Sequence, residues 1–263
     1  MFAYEELERS WKSLRGRSDA RVREVACEGV ARTLLCSEIG DAARPAIHIA
    51  AGVHGDEPAA PWALFALAAG GLLDPRFSYR LWPCTNPSGY RLGTRHNAEG
   101  QDINRSFNRG GKTPEARAII TSNRDRKFVL ALDMHEDFEC AGFYCYEIPV
   151  DGTAPIGRAV VQALDAAGLP VATLEEGFDL AYPPNVSPPP IERGHVMPDM
   201  HLEESFGDQR PLSPFMLRNA AKRALTFESP SCLPWEARIA THRVAVTSAI
   251  DFMASMLFHA EQD

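Results

Sequence analysis

Short apolar runs alternate with longer segments of helical spacing along most of the chain. Each of six runs predicts a strand, and each of three segments with apolar residues every three or four positions predicts a helix. In the first of these segments proline stands near the start and glycine at the end, as helices prefer. The predicted strands are 31–39, 46–53, 79–86, 128–135, 142–148 and 223–229, and the predicted helices are 58–70, 156–167 and about 236–260. This alternation is typical of an α/β sandwich.

Two further segments stand out from this alternation. Residues 1–16 mix charged and apolar residues at helical spacing, which predicts a surface helix. The proline-rich stretch 182–194 predicts a stiff surface loop, and the alternative is the rim of an active site, because long loops often carry function. No internal repeat or shift in composition divides the chain, so we expect one domain over residues 1–263.

Composition and charge argue against several classes of function. Hydrophobic residues make up 45% of the 263 residues, enough for a sizeable core. The formal charge is −8 and the basic residues form no block, which argues against a nucleic-acid or anionic-membrane surface. No apolar run reaches the roughly 18 residues that span a bilayer, and the N-terminus lacks the apolar core of a signal peptide. We therefore expect a cytoplasmic protein, whose six cysteines form no CxxC pair and stay reduced.

Polar residues suited to catalysis follow four of the predicted strands. Ligands of open α/β sheets bind beyond the carboxyl ends of strands, so these residues are expected to meet. Each one alone also fits a structural histidine, a solvated carboxylate or half of a surface ion pair. The four groups are His54 with Asp56 and Glu57, the segment 86–107, His135 with Glu136 and Asp137, and Glu228.

His54, Glu57 and His135 supply the two imidazoles and one carboxylate of a hydrolytic zinc site, with one position left for water. His54 and Glu57 are three positions apart on a turn that enters a helix, so both can point the same way. Magnesium or calcium would require more oxygen ligands, which favours zinc. Asp56 is expected to be a bystander, and Gly55 to let the turn tighten.

The remaining candidates suit the hydrolysis of an amide beside a carboxylate. Glu228 is flanked by apolar residues, so partial desolvation should raise its pKa and make it the general base. Asn104 and Arg105 are adjacent, and a guanidinium can grip a substrate carboxylate through two hydrogen bonds. Arg95 could face a developing oxyanion. Asp133, two residues before His135, either supports the site or is solvated.

The order of these residues resembles the zinc carboxypeptidases of the carboxypeptidase A type, the M14 family. The resemblance runs from about residue 45 to the end of the chain. Its motifs are H-x-x-E (54–57), N-P-x-G (86–89), R-x-N (95–97), D-x-N-R-x-F (102–107), D-x-H (133–135) and F-E (227–228).

The resemblance implies a fold and a role for each motif. The fold would be a carboxypeptidase-like three-layer sandwich, with helices on both faces of a twisted mixed sheet of about eight strands. One zinc ion per chain would be bound by His54, Glu57 and His135, with Glu228 as general base. Arg95 would polarise the scissile carbonyl, Asn104 and Arg105 would hold the terminal carboxylate, and Asp102 would orient His54.

This sequence also departs from the family pattern. His135 follows Glu57 by only 78 positions, which is typical of a compact bacterial-type member. We also expect no propeptide of the kind that many secreted members carry. The family's substrate-capping tyrosine has no counterpart between Pro183 and Leu225, and the nearest tyrosine upstream is Tyr182. Substrate length and class therefore stay open.

A related group, the succinylglutamate desuccinylases and aspartoacylases, shares HxxE, an arginine, an N-R pair and a late glutamate. Its members usually carry a β-rich domain after that glutamate, whereas only 35 residues follow Glu228 here. The sequence thus favours a zinc carboxypeptidase acting on small peptides, with an N-acyl amino acid deacylase as the alternative. A binding protein that has lost catalysis is disfavoured because every matched position is filled.

The sequence leaves two interpretations open for several residues. His195 and His201 are expected to be exposed loop histidines, or else part of a substrate loop. Tyr144 and Tyr146 alternate on an apolar strand, which predicts core or pocket wall. Glu136, Asp137 and Glu139 could bind a basic substrate group or a second ion, and solvation at a strand end is the alternative.

Overall fold

The computed structural model describes residues 3–16, 19–108, 110–150, 152–173, 191–198 and 207–258. The helices within these ranges are α1 (Tyr4–Lys12), α2 (Ala59–Ala69), α3 (Pro87–Leu92), α4 (Pro114–Ser122), α5 (Ile156–Ala166), α6 (Leu212–Asn219) and α7 (Trp235–Phe258). The strands are β1 (Arg21–Ala26), β2 (Thr33–Ile39), β3 (Ala46–Ala51), β4 (Ser78–Trp82), β5 (Leu130–Asp137), β6 (Tyr144–Glu147), β7 (Ile191–Glu192), β8 (His195–Val196) and β9 (Ala224–Pro230). Tyr182, His201 and residues 182–190 of the proline-rich stretch lie outside the described residues.

The elements predicted from long apolar patterns are present, with ends that shift by up to four residues. They are the helices α1, α2, α5 and α7 and the strands β2 to β6 and β9. The unpredicted elements are short or polar. In β1 only Val22 is buried, so the strand lacks an apolar run, while β7 and β8 have two residues each. The helices α3, α4 and α6 have six to nine residues, too few for a clear helical period.

The strands form one mixed sheet in the order β1-β2-β4-β3-β5-β9-β6-β8-β7. Its centre is parallel, because β3 pairs in parallel with β4 and β5, and β5 pairs in parallel with β9. The carboxyl ends of β3, β4, β5 and β9 therefore meet at one edge of the sheet. The flanking pairs β1–β2, β2–β4, β6–β9 and β7–β8 are antiparallel.

Helices cover both faces of this sheet. Residues of α2, α5 and α7 share one apolar cluster with Leu132 and Met134 of β5. Residues of α4 and α6 share a second cluster with Ala131. Ala131 alternates with Leu132 and Met134 along β5, so its side chain points to the opposite face of the sheet. The predicted three-layer α/β sandwich is confirmed, with nine strands in the described residues where about eight were expected.

Five of the six cysteines are buried, and Cys232 is exposed. Within the described ranges, no helix combines the length and the apolar character that a bilayer span requires.

Candidate metal centre and active site

The turn after β3 places the first two predicted ligands. Gly52 leaves the strand with a φ of +63°, and the amide of Gly55 donates to the carbonyl of Thr94 at 3.0 Å. A Cβ at Gly55 would lie 1.9 Å from the carbonyl carbon of Gly89, so only glycine allows the turn to pack against the start of α3. The turn therefore buries His54 and Glu57 and leaves Asp56 exposed.

His54, Glu57 and His135 meet in one buried cluster, in which each offers a ligand atom within 4.8 Å of the others. His54 Nδ1 lies 2.5 Å from one oxygen of Glu57, and His135 Nδ1 lies 3.0 Å from the other. Both imidazoles thus turn the same ring nitrogen toward the carboxylate. The structure thus brings together the three side chains that the sequence predicts as ligands.

A carboxylate stands behind each imidazole. His54 Nε2 lies 3.4 Å from Asp102, and His135 Nε2 lies 3.1 Å from Asp133, which is itself 1% exposed. A carboxylate at the second ring nitrogen fixes the orientation of a metal-binding histidine and raises its basicity. Asp133 is therefore buried beside the site rather than solvated.

These carboxylates also determine the charge state of the imidazoles. Burial alone would lower the pKa of His54, but Glu57 and Asp102 raise it above its ordinary value. Burial likewise disfavours charge on His135, yet Asp133 and Glu57 hold its pKa well above the usual range. Burial raises the pKa of the Glu57 carboxyl, and the two imidazoles lower it by more. The cluster is thus a buried group of strongly interacting charges.

The donor set fits a zinc ion. Although His135 Nδ1 is close to it, Glu57 Oε2 is buried and accepts no hydrogen bond within the part of the chain described. A buried carboxylate oxygen without a donor is costly unless a cation meets it. Two imidazole nitrogens and a carboxylate form a set that suits zinc better than magnesium or calcium. His54, Glu57 and His135 would hold the ion.

Glu228 lies directly beside this cluster. It pairs in register with His135 across β5 and β9, so both side chains leave the same face of the sheet. Burial, together with the Glu57 carboxylate, raises the pKa of Glu228 to about 8, although His135 acts in the opposite sense. The side chain is nonetheless half-exposed at the edge of the sheet.

Arg95 approaches the cluster on the arm that follows α3. Its Nε and Nη2 donate to one oxygen of Asp102 at 3.1 and 2.9 Å, and its Nη1 lies 3.3 Å from His54 Nδ1. Burial favours the neutral form of Asp102, but His54 and Arg95 hold its pKa well below the ordinary value. Asn86 anchors the arm, because its amide donates to the Arg95 carbonyl and its oxygen caps the amide of Gly89.

Asn104 and Arg105 lie on a short 3-10 turn, Ile103–Arg105, that follows Asp102. The Asn104 amide is engaged within the protein: its oxygen accepts from the Leu212 amide at 2.9 Å, and its nitrogen lies 3.3 Å from His135 Nε2. Arg105 is half-buried and donates to the Asn104 carbonyl. No carboxylate of the described residues forms an ion pair with Arg105, which leaves N–H donors for a ligand.

The other candidates from the sequence are not among the three clustered ligands. His195 is not an exposed loop residue: it lies in β8, is 1% exposed and sits 3.1 Å from Glu147. Asp137 is half-buried and accepts the phenol of Tyr144 at 2.8 Å, while Glu139 is exposed. Tyr146 packs edge to face against Tyr144.

Glu136 is likewise not a solvated strand-end charge. It is buried in an ion pair with Arg238 of α7. Burial raises its pKa to about 7 against the lowering effect of that guanidinium.

Neither the hydrogen bonds of Asn86 nor the buried ion pair of Glu136 was predicted from the sequence. For Asn86 the signal is present in N-P-x-G, since an asparagine before proline is a common start of a short helix. For Glu136 there is no local signal, because both of its partners come from distant elements.

The chain is similar to a known family and to several known proteins. The model of the succinylglutamate desuccinylase/aspartoacylase catalytic domain matches residues 43–253. Among curated proteins, carboxypeptidase SOL1 of Arabidopsis thaliana is 29% identical over 131 residues, which cover 42% of this chain and 26% of that protein. The matched part therefore spans about a quarter of the relative.

Several solved structures share the fold. A Shewanella amazonensis protein described as a metallopeptidase has a TM-score of 0.70 at 22% identity, over 97% of this chain and 92% of that one. A metallo-carboxypeptidase from Burkholderia cenocepacia has a TM-score of 0.69 at 17% identity, with coverages of 97% and 70%. Carboxypeptidase A from Helicoverpa armigera has a TM-score of 0.67 at 16% identity, with coverages of 98% and 75%.

These structures confirm the predicted carboxypeptidase-like fold. The family model that matches is that of the related deacylase group, which the sequence had ranked second. That match covers most of the chain, including every residue of the candidate centre. The chain therefore belongs to the succinylglutamate desuccinylase/aspartoacylase catalytic-domain family.

Proposed function

We propose that this chain is a zinc-dependent hydrolase, with one zinc ion per chain, that cleaves an amide bond next to a free carboxylate. The observation that carries the proposal is the buried cluster of His54, Glu57 and His135 directly beside Glu228. A buried set of three ligands next to a carboxylate of raised pKa has the parts that amide hydrolysis needs.

Glu228 acts as general base in this proposal. A zinc ion in the cluster would supply Lewis acidity, polarising the scissile carbonyl and making a water molecule more acidic. Glu228 takes the proton of the attacking water and passes it to the departing amine. Its raised pKa supports this role, because a more basic carboxylate is a better proton acceptor.

Arg95 and Arg105 interact with two groups of the substrate, the scissile carbonyl and the free carboxylate. Arg95 directs Nη1 toward the cluster, where it can meet negative charge that develops on the carbonyl oxygen. Arg105 binds the free carboxylate through N–H groups that pair with no carboxylate of the described residues. The Asn104 oxygen fixes the start of α6, and its amide group flanks that carboxylate.

A short peptide is the substrate that the local charges favour. The acid Asp137 lies near Glu228, and Glu139 follows it in the loop after β5. A second carboxylate on the acyl side would meet repulsion, whereas a neutral or cationic peptide residue would not.

An N-acyl amino acid is the second candidate, and the family match favours it. Both substrates have the same scissile amide and the same free carboxylate. They differ only in the acyl side, so the two candidates share every step assigned above.

A matched substrate panel tests the proposal. Dipeptides, N-acetyl and N-succinyl derivatives of one amino acid, and amide-linked cell-wall peptides are compared by kcat/KM with the zinc-loaded protein. We expect turnover of dipeptides and a slower reaction with the N-succinyl derivative. The reverse order would select the deacylase, and tight zinc binding without any turnover would support a non-catalytic homologue.

The proposal also covers the compartment and the binding partners. We propose a cytoplasmic protein whose partner is the small peptide or N-acyl amino acid substrate. Neither a nucleic acid nor a membrane is part of the proposal.

A further inference from the structure

Glu136 caps the helix that follows the first two ligands. It comes directly after His135, so the alternation of β5 turns its side chain to the opposite face of the sheet. There its Oε1 accepts a hydrogen bond from the amide of Ala59 at 2.6 Å. The helix α2 begins after Pro58 and has no side-chain cap of its own, so Glu136 satisfies one of its free amides.

Arg238 of α7 holds the other oxygen of Glu136. Its Nε lies 2.5 Å from Oε2, and its Nη2 is also in contact with that oxygen. The Glu136 side chain is 1% exposed, and the Arg238 guanidinium lies over the ring of Trp235. One buried carboxylate thus joins β5, α2 and α7.

We infer that Glu136 is a positioning residue for the metal ligand Glu57. Ala59 lies two residues after Glu57, and Glu136 is bonded to the next ligand, His135. Fixing the first amide of α2 to β5 therefore fixes the distance between the Glu57 turn and His135. The inference rests on the proposed zinc site and assigns to it a residue that touches neither metal nor substrate.

The chain offers a matched control in Glu147. This residue of β6 accepts from the amides of Ile156 and Gly157 at 3.1 and 2.8 Å and pairs with Arg223. Its helix, α5, also follows a proline and also lacks a side-chain cap. Glu147 pairs in register with Leu225, three positions before Glu228, so it performs the same capping away from the ligands.

The test compares Glu136→Ala and Glu136→Gln with Glu147→Ala and Glu147→Gln. Zinc affinity is measured by competition with a chelator, and the ligand geometry is read from the absorption spectrum of the cobalt-loaded protein. Unfolding by denaturant reports the stability of each metal-free variant. Glutamine keeps an acceptor for Ala59 and loses only the charge, so that variant stays informative if alanine prevents folding.

We expect Glu136→Ala to weaken zinc binding about 10- to 100-fold and to change the cobalt spectrum, as the loss of a supporting residue does. Glu136→Gln should lie between that variant and the unchanged protein. The Glu147 variants should lose stability and keep both metal readouts. Unchanged zinc affinity in both Glu136 variants, or an equal loss in the Glu147 variants, would overturn the inference and leave the zinc site standing. Absence of zinc binding by the unchanged chain would overturn the proposed function itself.

Discussion

His135 and Glu228 are register partners on the neighbouring parallel strands β5 and β9. The side chains therefore project from the same row of the same face, one within the ligand cluster and the other beside it. No loop intervenes in either strand, so the sheet itself sets the separation between ligand and proposed base. This relationship makes the role of Glu228 testable without disturbing the metal.

Glu228→Gln should remove activity and keep zinc. The amide has nearly the shape of the carboxylate but cannot accept the proton of the attacking water. We expect kcat/KM to fall about 10²- to 10⁴-fold, the usual contribution of a general base, with one zinc ion still bound per chain. Kinetics and metal analysis on the same sample check this, and Glu28→Gln, at an exposed carboxylate between β1 and β2, is the control. Full activity in Glu228→Gln would reject the mechanism.

Arg105→Met should weaken substrate binding more than turnover. The change removes charge-assisted hydrogen bonds worth about 1.5–3 kcal/mol, which corresponds to a rise in KM of roughly 10- to 150-fold. The control substrate has its carboxylate converted to an amide, and it should react equally with both proteins. Arg124→Met, at an exposed arginine, should leave KM unchanged. A similar loss with both substrates would contradict carboxylate recognition by Arg105.

Gly55→Ala should disrupt the ligand turn. The added methyl group would lie 1.9 Å from Gly89 and 2.2 Å from the Tyr90 amide, so the turn or α3 must move. We expect a loss of about 1–3 kcal/mol in the free energy of unfolding, together with weaker zinc binding. Gly110→Ala is the matched control, because that glycine is exposed and no atom lies within 4 Å of its added Cβ. Equal stability of the two variants would contradict the close packing.

His48 should make the fold sensitive to acid. This residue of β3 is fully buried, and burial, with the nearby Arg80 cation, lowers its pKa to about 3. The unfolded chain takes up the proton near the ordinary histidine pKa of about 6.5. The contribution of neutral His48 to the free energy of unfolding is therefore complete above about pH 6.5. It is lost as the pH falls from about 6.5 toward 3, by up to about 1.4 kcal/mol per pH unit.

His48→Leu removes this titration, so its free energy of unfolding should decline less steeply between pH 6.5 and 4 than that of the unchanged protein. Denaturant unfolding at several pH values measures the two slopes. Parallel curves would show that His48 is protonated in the folded state as readily as in the unfolded state.

The ligands could be predicted from the sequence because each follows a strand with a clear apolar pattern. His54, Glu57 and His135 needed only the rule that parallel strands end at one edge. The engagement of Asn104 with Leu212 could not be predicted, because the contact spans 108 positions and crosses a region without a readable pattern. Glu136 illustrates the same limit, since its sequence context resembles a solvated strand end and only the packing of α2 and α7 makes it buried.

The cap on α2 also has a consequence for incomplete chains. The amide of Ala59 is satisfied by a residue 77 positions later, so the start of α2 is completed only when β5 has joined the sheet. A fragment that ends before β5 carries His54 and Glu57 but lacks both the third ligand and the carboxylate that steadies their turn. Under the proposed function, a half-made or truncated chain therefore lacks the assembled set of side chains that would hold the ion.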